Sequence, residues 1–257
     1  MHLLQSSSLR FFLPVLLAWS FAGCSVFSTR DPKAAELHLQ LGVGQLQSGS
    51  YPQALVTLLK AESLDDQNPV IQNTLGLAYY VREKFEMAEK HMRRAVDLDP
   101  KYSDARNNLG QVFLQQGRVA DAIQEFKIVE NDLTYPSPEK VFYNLSEVYF
   151  RMNNFSESIR YVTKTLNVQR ESCQARTLLG RNYYEMKNYG KATQELDRAI
   201  GLCQKSLFDE PNYYSSLSYY AAGDETKARA RLEEMLKLFP NGKYFDKGKE
   251  MLEIMKR

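Results

Sequence analysis

The stretch Leu75–Glu89, LGLAYYVREKFEMAE, decides how the rest of the chain is read, because its pattern returns 34 residues later as Leu109–Ile123, LGQVFLQQGRVADAI. Both open on Leu-Gly, both carry an aromatic residue just beyond (Tyr79, Phe113), and both place an alanine twelve residues after the glycine (Ala88, Ala122). The register extends outward to LGVGQLQSGSYPQAL (41–55), LSEVYFRMNNFSESI (145–159) and LGRNYYEMKNYGKAT (179–193). It holds less completely in LSYYAAGDETKAR (217–229). The first small residues are Gly42, Gly76, Gly110, Ser146, Gly180 and Ser216, at steps of 34, 34, 36, 34 and 36. Ala54, Ala88, Ala122, Ser158, Ala192 and Ala228 keep the same steps. Two small-residue series in fixed register are what two close-packed helices require where they cross.

Other landmarks agree. Tyr79, Phe113, Tyr149, Tyr183 and Tyr219 fill an aromatic place in the first helix of a unit, and Gln45 departs from it in unit one. Gly49, Gly117 and Gly223 stand where the chain reverses, as glycine allows. Pro100 and Pro240 follow helix ends. A helix, a tight turn and a second helix in about 34 residues is the tetratricopeptide-repeat pattern. The expected fold is therefore all-α: a right-handed superhelical solenoid of six such units over residues 35–242. In residues 243–257, Tyr244, Phe245, Met251, Leu252 and Met255 share one helical face. That is the capping helix needed to close the last repeat's open side.

The chain has 257 residues, with 33 Lys and Arg against 31 Asp and Glu, a net charge of +2. This balance does not point to nucleic acid, which calls for a clearly basic surface. Repeats, cap and N-terminal segments account for the whole chain and leave no stretch for a catalytic domain. His2, His38 and His91 are scattered, with no spacing that suits a metal. Neither a phosphate-cradling glycine loop nor a nucleophile elbow is found. The expectation is a protein that is not an enzyme, with no cofactor, metal or small-molecule substrate.

The N-terminus is a separate object. Arg10 precedes the apolar run FFLPVLLAWSFA, which is 12 residues long. A membrane span needs about 20, so this has the form of an export signal. It ends FAGCS, and Ala22-Gly23-Cys24 resembles the bacterial lipobox, with Phe21 in the usual leucine place. Residues 1–23 are thus expected to be removed, Cys24 to be acylated, and residues 24–34 to form a tether. Ser25, after the cysteine, resembles the outer-membrane sorting default.

Cys173 and Cys203 fall at the start and near the end of unit five. These places lie at the same end of an antiparallel helix pair. An exported chain meets oxidising conditions, so the two are a disulfide candidate; the alternative is two buried thiols. The first helices of the units line the inner wall of such a solenoid. Leu39, Val43, Leu46, Val70, Leu77, Tyr80, Val81 and Leu114 are expected to form an apolar groove there, with Asn73 and Asn107 supplying amides. Alternatively, the aromatic side chains only pack against the next repeat. Lys140, Glu147, Arg151, Arg181 and Glu185 make the wall of units four and five more polar. Leu39 and Val43 stand where chaperone-binding repeats carry a lysine and an asparagine that grip a carboxylate, so that chemistry is absent.

Between units three and four the chain reads LTYPSPEK, Leu133–Lys140, with Pro136 and Pro138 stiffening a longer connection. Six repeats behind a lipidated cysteine, with TYPSPEKVFYNLSEVY (134–149) at this junction, resemble the pilotin family of type IV pilus systems, the PilF/PilW-type lipoproteins and the related gliding-motility lipoprotein Tgl. The resemblance implies a lipid-anchored protein on the periplasmic face of the outer membrane. Its partners would be secretin subunits, whose localisation or multimerisation it promotes. Some members carry a cysteine pair in units three and four, whereas here it falls in unit five. Two other roles fit a repeat lipoprotein: a scaffold of the outer-membrane barrel-assembly machinery, and an adaptor for cell-wall enzymes.

Overall fold

Helix starts are written into the sequence. Asp31 accepts a hydrogen bond from the Ala34 amide, Asn68 from those of Val70 and Ile71, and Ser172 from that of Ala175. Pro32, Pro69, Pro138 and Pro211 sit in the first turns, where a missing N–H costs nothing. The structure, a computed structural model, describes residues 30–203 and 208–255, so the export signal and Cys24 lie outside the described residues. Among these residues six antiparallel helix pairs follow one another. They are α1 (Pro32–Gln47) with α2 (Tyr51–Leu64), α3 (Pro69–Tyr80) with α4 (Phe85–Leu98), and α5 (Ser103–Gln115) with α6 (Val119–Glu130). Then come α7 (Pro138–Arg151) with α8 (Phe155–Val168), α9 (Cys173–Glu185) with α10 (Tyr189–Cys203), and α11 (Glu210–Ala221) with α12 (Glu225–Leu238). Helix α13 (Phe245–Met255) ends the stack. Because Asp31 caps α1 and Pro32 opens it, the helix begins inside residues 24–34, the stretch expected to be tether.

All six hairpin turns are alike. The residue seven after the small one takes a left-handed backbone: Gly49, Gly117 and Gly223 at φ of 77°, 75° and 84°, and Glu83, Asn153 and Lys187 at 58°, 57° and 60°. The next amide donates back to the carbonyl of the aromatic place, as Lys84 does to Tyr79 (3.0 Å) and Arg118 to Phe113 (2.8 Å). This is the Schellman closure of a helix C-terminus.

The small residues do what their spacing predicts. Gly76, Gly110 and Gly180 leave no room for a methyl group beside Met92, Phe126 and Leu196 of the partner helix. In unit four both are serines, and Ser158 Oγ donates to the Ser146 carbonyl at 2.8 Å. The core runs as a strip between pairs, with Phe113, Phe126, Leu145 and Tyr161 buried across units three and four. The odd-numbered helices touch from unit to unit (α1 with α3, α3 with α5, α5 with α7, α7 with α9, α9 with α11), so their line is the inner side of the solenoid. At the far end α13 closes unit six, with Met251, Leu252 and Met255 packed on Leu232 and Met235.

The junction with two prolines is anchored by its tyrosine. Tyr135 is buried in the core of units three and four, and its hydroxyl donates to Asp104 Oδ1 at 2.8 Å. Asp132 Oδ1 accepts from both the amide and the hydroxyl of Thr134. The extra length therefore brings a core side chain with it.

Candidate protein-binding groove

The inner wall is built from register positions on the odd helices. One residue after the small residue stand Val43, Leu77, Gln111 and Glu147; four after it stand Leu46, Tyr80, Leu114 and Phe150. Positions six before and five after, which include Val70, Val81, Lys140 and Arg151, are more exposed and form the rims. Tyr80 and Leu114 meet at a concavity of about 330 Å³ that runs on into α7 and reaches Gln174 of α9. Its other walls are Gln111, Gln115, Lys140, Tyr143, Asn144, Glu147 and Arg151.

Hydrogen bonds fix this surface. Gln115 Nε2 donates to the Tyr80 hydroxyl at 3.3 Å, and Tyr143 donates to Glu147 Oε1 at 3.2 Å. Burial, with the adjacent Glu147 charge, pushes the Tyr143 hydroxyl far up, so it remains a neutral donor. Lys140 Nζ lies 3.6 Å from Asp104 Oδ1, while Arg151 is exposed and has no ion-pair partner among the described residues. An apolar floor beside amides and a free guanidinium suits a peptide that offers one apolar and one acidic side chain.

The expected groove residues divide by register. Tyr80 and Leu114 line the concavity, Val43, Leu46 and Leu77 stand at the matching register positions on α1 and α3, and Val70 and Val81 are each 43% accessible. Leu39, Asn73 and Asn107 are buried, 5%, 5% and 2% exposed, and none of them lines the concavity, whereas Leu114, itself only 7% exposed, does. They stand three residues before the small one, where neighbouring odd helices meet. There Asn108 donates to Asn73 Oδ1 (3.0 Å) and Asn144 to Asn107 Oδ1 (2.9 Å), an amide ladder joining α3, α5 and α7. Gln111, Gln115, Tyr143, Asn144 and Gln174 were not anticipated. Gln111 and Gln115 share the register positions of Glu147 and Arg151, and that signal would have found them. Toward unit six the wall closes over itself, with Arg181 lying over Phe150 and Tyr214 and paired with Glu210 at 3.0 Å.

Cys173 opens α9 and Cys203 closes α10; in the structure they are bonded, with Cα atoms 5.4 Å apart.

Three segments match the family described as tetratricopeptide repeat: residues 73–132, 174–206 and 212–242. The chain folds as a solenoid of tetratricopeptide repeats. It is similar to the type IV pilus assembly protein PilF of Pseudomonas aeruginosa, 27% identical over 193 residues that cover 72% of this chain and 77% of that one. The solved structure of P. aeruginosa PilF superposes with a TM-score of 0.73 at 22% identity, covering 85% of this chain and 98% of that one. The crystal structure of PilW, a type IV pilus biogenesis factor, gives 0.78 at 18% identity, covering 84% and 99%. At those identities the two structures speak for the repeat fold. The rat DnaJ homolog subfamily C member 3 matches 88% of this chain at 25% identity, but the match spans only 47% of that protein.

Proposed function

We propose that this repeat protein is a lipoprotein, anchored through Cys24 to the periplasmic face of the outer membrane, that binds secretin subunits and promotes their localisation or multimerisation in type IV pilus assembly. The observation that carries the reading is the sequence similarity to PilF, which spans 77% of that protein rather than one repeat. The inner wall supports it, because Tyr80 and Leu114 offer an apolar seat with Arg151 unpaired beside it. The work asked of the protein is then binding, with no chemical step.

The test is the secretin's heat-resistant multimer in membranes of cells with and without the gene. Loss of the multimer with monomer still present is the expected result. An unchanged multimer at its normal level in the outer membrane would refute the reading.

A further inference from the structure

From the second unit onward, two positions of each first helix are sealed by the preceding unit. Five residues before the small one stand Ile71, Ala105, Val141 and Ala175, all with no exposure; one residue before it stand Leu75, Leu109, Leu145 and Leu179, none above 8%. Unit one carries leucines at the same two places, Leu37 and Leu41, and they are 67% and 53% exposed. The two lie one turn apart on α1, on the side opposite Ala35, Leu39 and Gly42, which pack inward. This is a repeat-stacking face, and no described residue covers it. The opposite end of the solenoid is closed by α13. A terminal unit that met only water would carry polar residues here.

Charge and chain length say what covers this face. Lys33 stands one turn before Leu37 on the same side, and Gly44 follows Leu41 with open space around it. The arriving chain is pinned to the C-terminal end of α2. Arg30 Nε meets Asp65 Oδ1 at 2.7 Å, and the Asp31 amide donates to the Leu64 carbonyl at 3.0 Å. From Cys24 to Arg30 an extended chain spans at most about 20 Å. Leu41 lies only about 17 Å along the helix from Arg30. An acylated Cys24 would therefore hold this face within reach of the bilayer surface, with a cation and two leucines turned outward.

We propose that the end face of unit one, Lys33, Leu37 and Leu41, seats on the lipid bilayer beside the anchor. The solenoid then stands with unit one at the membrane, the cap end away from it, and the inner wall open from the side. This rests on the lipid-anchor part of the function proposed above.

The test uses the mature, lipidated full chain in vesicles of phosphatidylethanolamine and phosphatidylglycerol. An environment-sensitive fluorophore is placed at L37C, at L41C and, as control, at V56C, a residue 70% exposed on α2. The labels at 37 and 41 are expected to be blue-shifted, and quenched by headgroup-region nitroxide lipids about twofold or more over the control, as for side chains buried in the interface. Mass spectrometry of the N-terminal peptide is read in parallel. Acylated Cys24 with all three labels equally water-exposed overturns the seating alone. An unmodified Cys24 overturns the anchor and the seating together. Shielding at 37 and 41 that survives in a soluble form lacking Cys24 and grows with protein concentration would assign the face to a second copy instead, and overturn the proposal.

Discussion

Phe126 fills the space that a side chain on Gly110 would need: a Cβ at Gly110 would lie 2.5 Å from Phe126 Cε1 and 2.9 Å from its Cδ1 and Cζ. Alanine at Gly110 gains about 1 kcal/mol in helix propensity. The rigid ring of Phe126, fully buried, cannot yield as a flexible chain end would, and overpacking of this kind costs about 1–3 kcal/mol. Gly110→Ala is expected to lower stability in chemical denaturation. Gly44→Ala, where nothing lies within 4 Å, is expected to raise it slightly.

The six turns offer a reciprocal pair. A left-handed backbone costs an ordinary residue roughly 1–2 kcal/mol, and glycine loses about 0.4–1 kcal/mol through its freer unfolded chain. Lys187→Gly should therefore stabilise by about 0.5–1 kcal/mol, and Gly117→Ala should destabilise by about as much or more. Denaturation midpoints of the two variants should move in opposite directions.

A buried histidine and a half-buried carboxylate set opposite ends of the acid response. His91 is buried, with Nδ1–H donating to Gln72 Oε1 at 2.8 Å. Burial holds its pKa below the usual 6.5, against the pull of Glu62. The unfolded chain then binds the proton more readily, so this contribution to stability is present at neutral pH and is lost as pH falls below 6.5. Burial works to raise Glu130, but hydrogen bonds from Lys127, Lys164 and Tyr161 outweigh it and bring the carboxyl to about 2. Its contribution is present above the ordinary 4.5 and is lost as pH falls from there toward 2. His91→Gln should flatten the loss just below pH 6.5, and Glu130→Gln the loss at lower pH, in midpoints measured across the range.

The Cys173–Cys203 bond closes a loop of 30 residues around unit five. On the chain-entropy view such a loop is worth about 3–4 kcal/mol. Reduction, or the C173S/C203S double variant, should lower the denaturation midpoint and open units five and six to protease before units one to three.

The repeat architecture was legible because close-packed helices demand small residues at fixed intervals, and no other arrangement repeats Gly76 and Ala88 as Gly110 and Ala122. The turn glycines were legible for the same kind of reason, but Glu83 and Lys187 adopt the same backbone with no side-chain signal for it. The groove was half legible. Register puts Asn73 and Asn107 on the inner helices, yet it does not say how closely the next inner helix approaches, and that approach takes their amides into the ladder with Asn108 and Asn144. Tyr135 was hidden behind two conspicuous prolines, although an aromatic residue in a connector is itself a sign that the connector packs.

The most direct measurement is complementation of a strain lacking the gene, scoring the secretin's heat-resistant multimer. Wild type, an inner-wall variant (Tyr80→Ala with Arg151→Glu) and an outer-face control (Val56→Ser) are compared at equal protein level. On a secretin-binding role for the inner wall, the control restores the multimer while the inner-wall variant leaves the secretin monomeric, and only the wild type and the control bind purified secretin subunits. Full multimer with the inner-wall variant would contradict it.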